Sequence, residues 1–107
     1  MNNNDIKTLL LEHFPEYEKK QILLNDLTQR ICFLPEKYRN PLIAWLKGGE
    51  IPDFEYNLSE GKQYSVKTLC ECNHFTVPSA ILTLAWLEYD TENALKTLKR
   101  AGVQPMQ

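Results

Sequence analysis

The chain has 107 residues, 43% hydrophobic and 24% charged, an ordinary globular balance that fits one domain with a modest core. Four glycines and six prolines exclude a low-complexity or collagen-like chain. The net charge is −2, carried as 8 basic and 10 acidic residues before position 65 and 4 of each after it, so neither half has the basic excess of a dedicated nucleic-acid module.

The expected fold is all-α: a compact bundle of five to six short helices forming one domain over 1–107. N-terminal helices fill 1–49, a connecting segment fills 50–64, and a helix-turn-helix-like unit with a C-terminal helix fills 65–102. Asn3 or Asn4 suits a helix start, because short polar side chains cap exposed N–H groups. Ile6, Leu9, Leu10 and Phe14 then make an amphipathic stripe. Pro15 ends this helix and suits the first turn of the next, predicted over Pro15–Ile31 with Leu23, Leu24, Leu27 and Ile31 on its buried side. Segment 35–40 reads as a short helical turn. Asn40-Pro41 reads as a cap and first-turn proline for a helix carrying Leu42, Ile43, Trp45 and Leu46, which Gly48-Gly49 stops.

Residues 50–64 alternate at Phe54 and Tyr56, with Gly61 as a turn, the pattern of a minor β-hairpin. Ser65 suits a cap for a helix with Val66, Leu69 and Cys70. Asn73, His74 and Phe75 form a tight turn, and Thr76 and Pro78 begin the next helix. Ala80, Ile81, Leu84 and Leu87 line one face of that helix, while Leu82, Trp86 and Tyr89 recur at i, i+4 and i+7 on another. Asp90 or Thr91 caps a last helix with Ala94, Leu95, Leu98 and Ala101, stopped by Gly102. The tail from Val103 onward is expected to fray.

Ser65 to Glu88 resembles a helix-turn-helix of the winged-helix kind. The apolar residues Val66, Leu69 and Phe75, the start at Thr76 and Pro78, and Leu84 followed by Leu87-Glu88 carry the resemblance. It implies a three-helix unit and, as one function, DNA binding with phosphate contacts from Lys67, Lys96, Lys99 and Arg100. Base edges are read by Arg, Lys, Asn or Gln, and 77–88 holds none of these. A helix apolar nearly all round is either central in its domain or covered by a partner. The leading expectation is therefore a non-enzymatic protein-interaction or adaptor protein, with a protein partner or a homodimer meeting Leu82, Trp86, Tyr89 and Trp45.

Three cysteines, an odd count, argue against a disulfide framework. No apolar run approaches a membrane span, and the N-terminus lacks a signal-peptide pattern, so a cytoplasmic protein is expected. Cys70, Cys72 and His74 with Cys32 have the chemistry of zinc ligands. One intervening residue is too tight for the usual cysteine pair, and Cys70 is expected in the core. Cysteine-histidine catalysis through His13 or His74 has no supporting motif. Phosphate-loop, dinucleotide and metalloprotease patterns are absent. No cofactor, no metal and no enzymatic activity are expected.

Overall fold

The computed structural model describes residues 2–106. It is mostly helical, with six α-helices and one two-stranded antiparallel hairpin among the described residues. The chain forms two compact units that divide after Ile51, inside the segment read as a connection.

The first unit begins at a capping box. The Asn2 side chain accepts from the Asp5 backbone N–H at 2.9 Å, and the Asp5 carboxylate accepts from the Asn2 N–H at 3.4 Å. Helix α1 spans Asn3–His13, beginning at the expected Asn3 but capped by Asn2 one residue earlier, and buries Ile6 and Leu10. The single helix predicted over Pro15–Ile31 is two pieces: a 3-10 turn at Pro15–Lys19 and α2 at Gln21–Cys32. Lys20 breaks them with φ −125° and ψ 60°. The reason is local: Glu18, Lys19 and Lys20 offer no apolar side chain to pack, and tertiary packing sustains most helices. The Phe14 ring instead stacks on Tyr17 with centroids 5.5 Å apart.

The buried side of α2 is Leu24, Thr28 and Ile31. Leu23, predicted to be buried, is exposed. Thr28 takes the core position at no polar cost, because its hydroxyl donates to the Leu24 carbonyl at 2.7 Å. Helix α3 spans Glu36–Leu46 and runs straight through Pro41, which was expected to open a helix. Tyr38, Leu42 and Leu46, one turn apart, are all buried and hold α3 together across the donor that Pro41 lacks. The helix closes with Gly48 (φ +99°) donating to Trp45 and Gly49 donating to Ala44, each at 2.9 Å. A Cβ at Gly49 would stand 2.8 Å from the Ala44 carbonyl oxygen, so the close approach requires glycine.

The second unit starts with the hairpin of β1 (Glu55–Asn57) and β2 (Gln63–Ser65), with Tyr56 opposite Tyr64. Its turn uses positive φ at Glu60 and Gly61. Ser65 then caps α4 (Val66–Asn73) through a reciprocal box with Thr68. His74 takes the left-handed conformation (φ 60°) that ends α4. Thr76 caps α5 (Val77–Tyr89) by accepting from the Ser79 N–H at 3.3 Å. Helix α5 packs against α4, α6 (Thr91–Arg100) and the hairpin. A relay ties the hairpin to the α5–α6 junction: the Tyr56 hydroxyl meets Thr91 Oγ1 at 3.0 Å, and Thr91 donates to the Leu87 carbonyl at 2.6 Å.

The tail was expected to fray from Val103 onward, but through Met106 it is held; Gln107 lies outside the described residues. Gly102 donates to Lys99 and Val103 donates to Leu98, closing α6 and burying Val103 against the unit. Met106 then pairs with Gln63 through two backbone hydrogen bonds of 2.7 and 2.8 Å. Tyr64, fully buried, donates its hydroxyl to the Val103 carbonyl at 3.0 Å. Burial also raises the Tyr64 pKa above its ordinary value.

Tyr64→Phe removes this bond and leaves the Val103 carbonyl without it, a predicted loss of about 1 kcal/mol in urea unfolding at pH 8. The raised pKa adds a pH signature. Above about pH 10 the unfolded phenol releases its proton while the folded one keeps it, so stability falls as pH rises. The Phe variant lacks that part of the alkaline loss; equal slopes for both proteins would contradict this role.

Candidate functional site

Helix α5 has one charged side chain, Glu88. Val77, Pro78, Ala80, Ile81, Leu84 and Leu87 are buried, which accounts for its inner side. The outer side carries half-buried Leu82, Trp86 at 38% exposure and Tyr89 at 93%. These three are spaced four and three residues apart, so they form one ridge over two turns. The neighbouring Thr83 hydroxyl donates to the Ser79 carbonyl at 2.8 Å and so is satisfied within the helix. The ridge is thus an apolar surface with an aromatic end.

Trp45, expected alongside these residues, lies in the first unit. It is half-buried and stacks on His13, with centroids 4.5 Å apart and planes 29° apart. His13 Nε2 donates to the Leu46 carbonyl at 2.8 Å, which fixes its tautomer and holds the ring under Trp45. Trp45, His13 and Phe14 form a local aromatic cluster.

The basic residues Lys67, Lys96, Lys99 and Arg100 are all exposed. Lys67 sits in the first turn of α4, and Lys96, Lys99 and Arg100 sit on α6. Lys96 pairs with Glu92 at 3.2 Å one turn earlier, which partly neutralises that group.

The three cysteines are free thiols. Among the described residues no three His, Cys, Asp or Glu side chains gather as a metal site. Cys70, expected in the core, is only half-buried, because α4 turns Val66 and Leu69 inward instead. Burial and then the Glu71 carboxylate raise its thiol pKa. Such a thiol is a poor nucleophile at neutral pH. Cys72 is exposed, and Cys32 donates its thiol hydrogen to Asn3 Oδ1 at 2.8 Å.

Ile22 at 86% exposure and Phe33 at 83% are apolar side chains of the first unit that periodicity did not single out. Ile22 lies in the first turn of α2 and Phe33 is its C-cap; at eleven residues apart they fall on one side, a spacing that could have flagged them. No helix among the described residues is long and apolar enough to cross a membrane. The chain matches no family model, no curated protein and no solved structure at a significant level.

The two cysteines of α4 are expected to differ in reactivity. At pH 8, iodoacetamide should label Cys72 faster than Cys70, read by peptide mass spectrometry of folded protein. Equal rates in the folded state, or faster labelling of Cys70, would contradict the burial and charge assigned to it.

Proposed function

We propose that the protein is a non-enzymatic interaction module that pairs with a second copy of itself through the outer ridge of α5. The observation that carries this is Leu82, Trp86 and Tyr89 standing on the outside of a helix whose inside is already filled. The spacing is that of a helix–helix seam, in which side chains of one ridge enter the gaps of another. A second α5 suits this ridge for an electrostatic reason. The helix has a single charged side chain, Glu88, near its C-terminal end. Antiparallel pairing about a twofold axis puts the two Glu88 carboxylates at opposite ends, so no like charges oppose. Trp and Tyr are the residues that most often anchor such contacts. Two turns bury little area, so the association is weak and concentration-dependent.

A second reading rests on a different observation. Helices α4 and α5 are joined by the three residues 74–76, and Lys67, Lys99 and Arg100 are exposed nearby in sequence or on the following helix. In this reading the unit binds duplex DNA through phosphates, because α5 offers no base-reading side chain. Such binding falls steeply with salt and weakens on charge reversal at Lys99 and Arg100.

Sedimentation equilibrium decides the first reading. Wild type should associate with rising concentration. Trp86→Ala and Tyr89→Ser should each weaken association about tenfold or more, equivalent to ~1.4 kcal/mol. Tyr89 is nearly fully exposed, so its replacement should change unfolding stability by less than about 0.5 kcal/mol. A wild-type protein that stays monomeric, or variants that associate equally well, would refute the ridge as a self-pairing surface. Salt-sensitive anisotropy of a labelled duplex in that case would favour the second reading.

A further inference from the structure

The first unit contains a groove of about 480 Å³ whose lining differs in character from the α5 ridge. We propose that it is a binding site for a small organic anion, a carboxylate or a phosphate monoester with a short apolar body. Three features of the lining argue for this ligand class.

The first is charge. Arg39 and Lys47 line the groove, and none of its lining residues is acidic. Both cations lie on the α3 side, eight residues apart, which is about 12 Å along a helix axis. Lys47 is exposed and forms no ion pair among the described residues.

The second is preorganisation. Arg39 is only 30% exposed in its side chain. Its Nη1 donates to the carbonyls of Cys32 and Leu34, at 3.4 and 3.3 Å, which holds the guanidinium at the end of α2. Among the described residues, Nη2 makes a loose contact with Glu36, 3.7 Å away on a side chain that is 80% exposed. A water-screened pair of this kind contributes little, so a better-placed anion can displace it. A fixed, planar donor fork suits a carboxylate or phosphate more than a mobile ammonium does.

The third is the pattern of donors and apolar surface. Asn3 Oδ1 accepts from the Cys32 thiol, and the same side chain carries two amide N–H donors in the lining of the groove. Asn40, also in the lining, adds a second amide. Ile6, buried, and Ile43, half-buried, give the groove an apolar strip beside these donors. A ligand with one anionic head and a short hydrocarbon body matches this division.

Cys32 lines the same groove and serves as a built-in reporter. Iodoacetate and iodoacetamide alkylate a thiolate by the same displacement of iodide and differ in charge. The groove should favour the anionic reagent. The iodoacetate-to-iodoacetamide rate ratio at Cys32, measured at low salt in folded protein, should exceed the ratio at exposed Cys72 by about threefold or more. It should fall as salt is raised. Hexyl phosphate and hexanoate should slow iodoacetamide at Cys32, whereas hexylammonium should not; comparing the two anions identifies the preferred head group. Lys47→Gln, an exposed change expected to leave the fold intact, should reduce the ratio and the protection. Arg39→Gln should abolish the protection. Equal ratios at Cys32 and Cys72, protection by hexylammonium as strong as by the anions, or an unchanged Lys47→Gln protein would overturn the site.

Discussion

Helix α5 sets the terms for the second unit. Thirteen residues carry one charged side chain, and α4, α6 and the hairpin account for the packing of one side. The unit is arranged to hold that side. Ser65 and Thr68 fix the start of α4, and the left-handed His74 turns the chain into α5. The Tyr56–Thr91–Leu87 relay fastens the far end. Tyr64 and the Met106 bridge draw the tail onto the hairpin. What remains is an outer ridge whose burial would be favourable, since apolar area removed from water stabilises at roughly 25 cal/mol per Å².

Much of this was legible in the sequence because periodicity and caps are local signals. The inner face Ala80, Ile81, Leu84 and Leu87, the outer ridge, the caps at Ser65 and Thr76, and the hairpin with its turn near Gly61 all appear where the pattern places them. The departures share a cause of another kind. Thr28 replaces Leu23 in the core because a hydroxyl can be satisfied by its own helix, which composition does not reveal. Pro41 sits inside α3 because packing at Tyr38, Leu42 and Leu46 outweighs one missing donor. The tail is ordered by bonds to residues about forty positions away, a separation no local window spans. In the candidate sites the same rule holds. Leu82, Trp86 and Tyr89 could be grouped from spacing. Trp45 could not be assigned to His13, nor Arg39 to the end of α2, because those contacts join separate helices.

The two units therefore offer different chemistry. The first gathers donors and cations around a short aliphatic strip, with Arg39 held by backbone carbonyls. The second presents an apolar ridge on a helix almost free of charge. The two proposals follow this division: an anion for the groove of the first unit, and a second α5 for the ridge of the other.

The most direct test of the central claim reads the ridge itself. Trp45→Phe leaves Trp86 as the sole tryptophan. Acrylamide quenching of that protein, followed from about 1 μM to about 1 mM chain, reports whether the exposed part of Trp86 becomes covered. The account predicts that quenching falls and emission shifts to the blue as concentration rises, with half-effect at the midpoint of association. A quenching constant that stays unchanged across that range would show that α5 does not pair through this face.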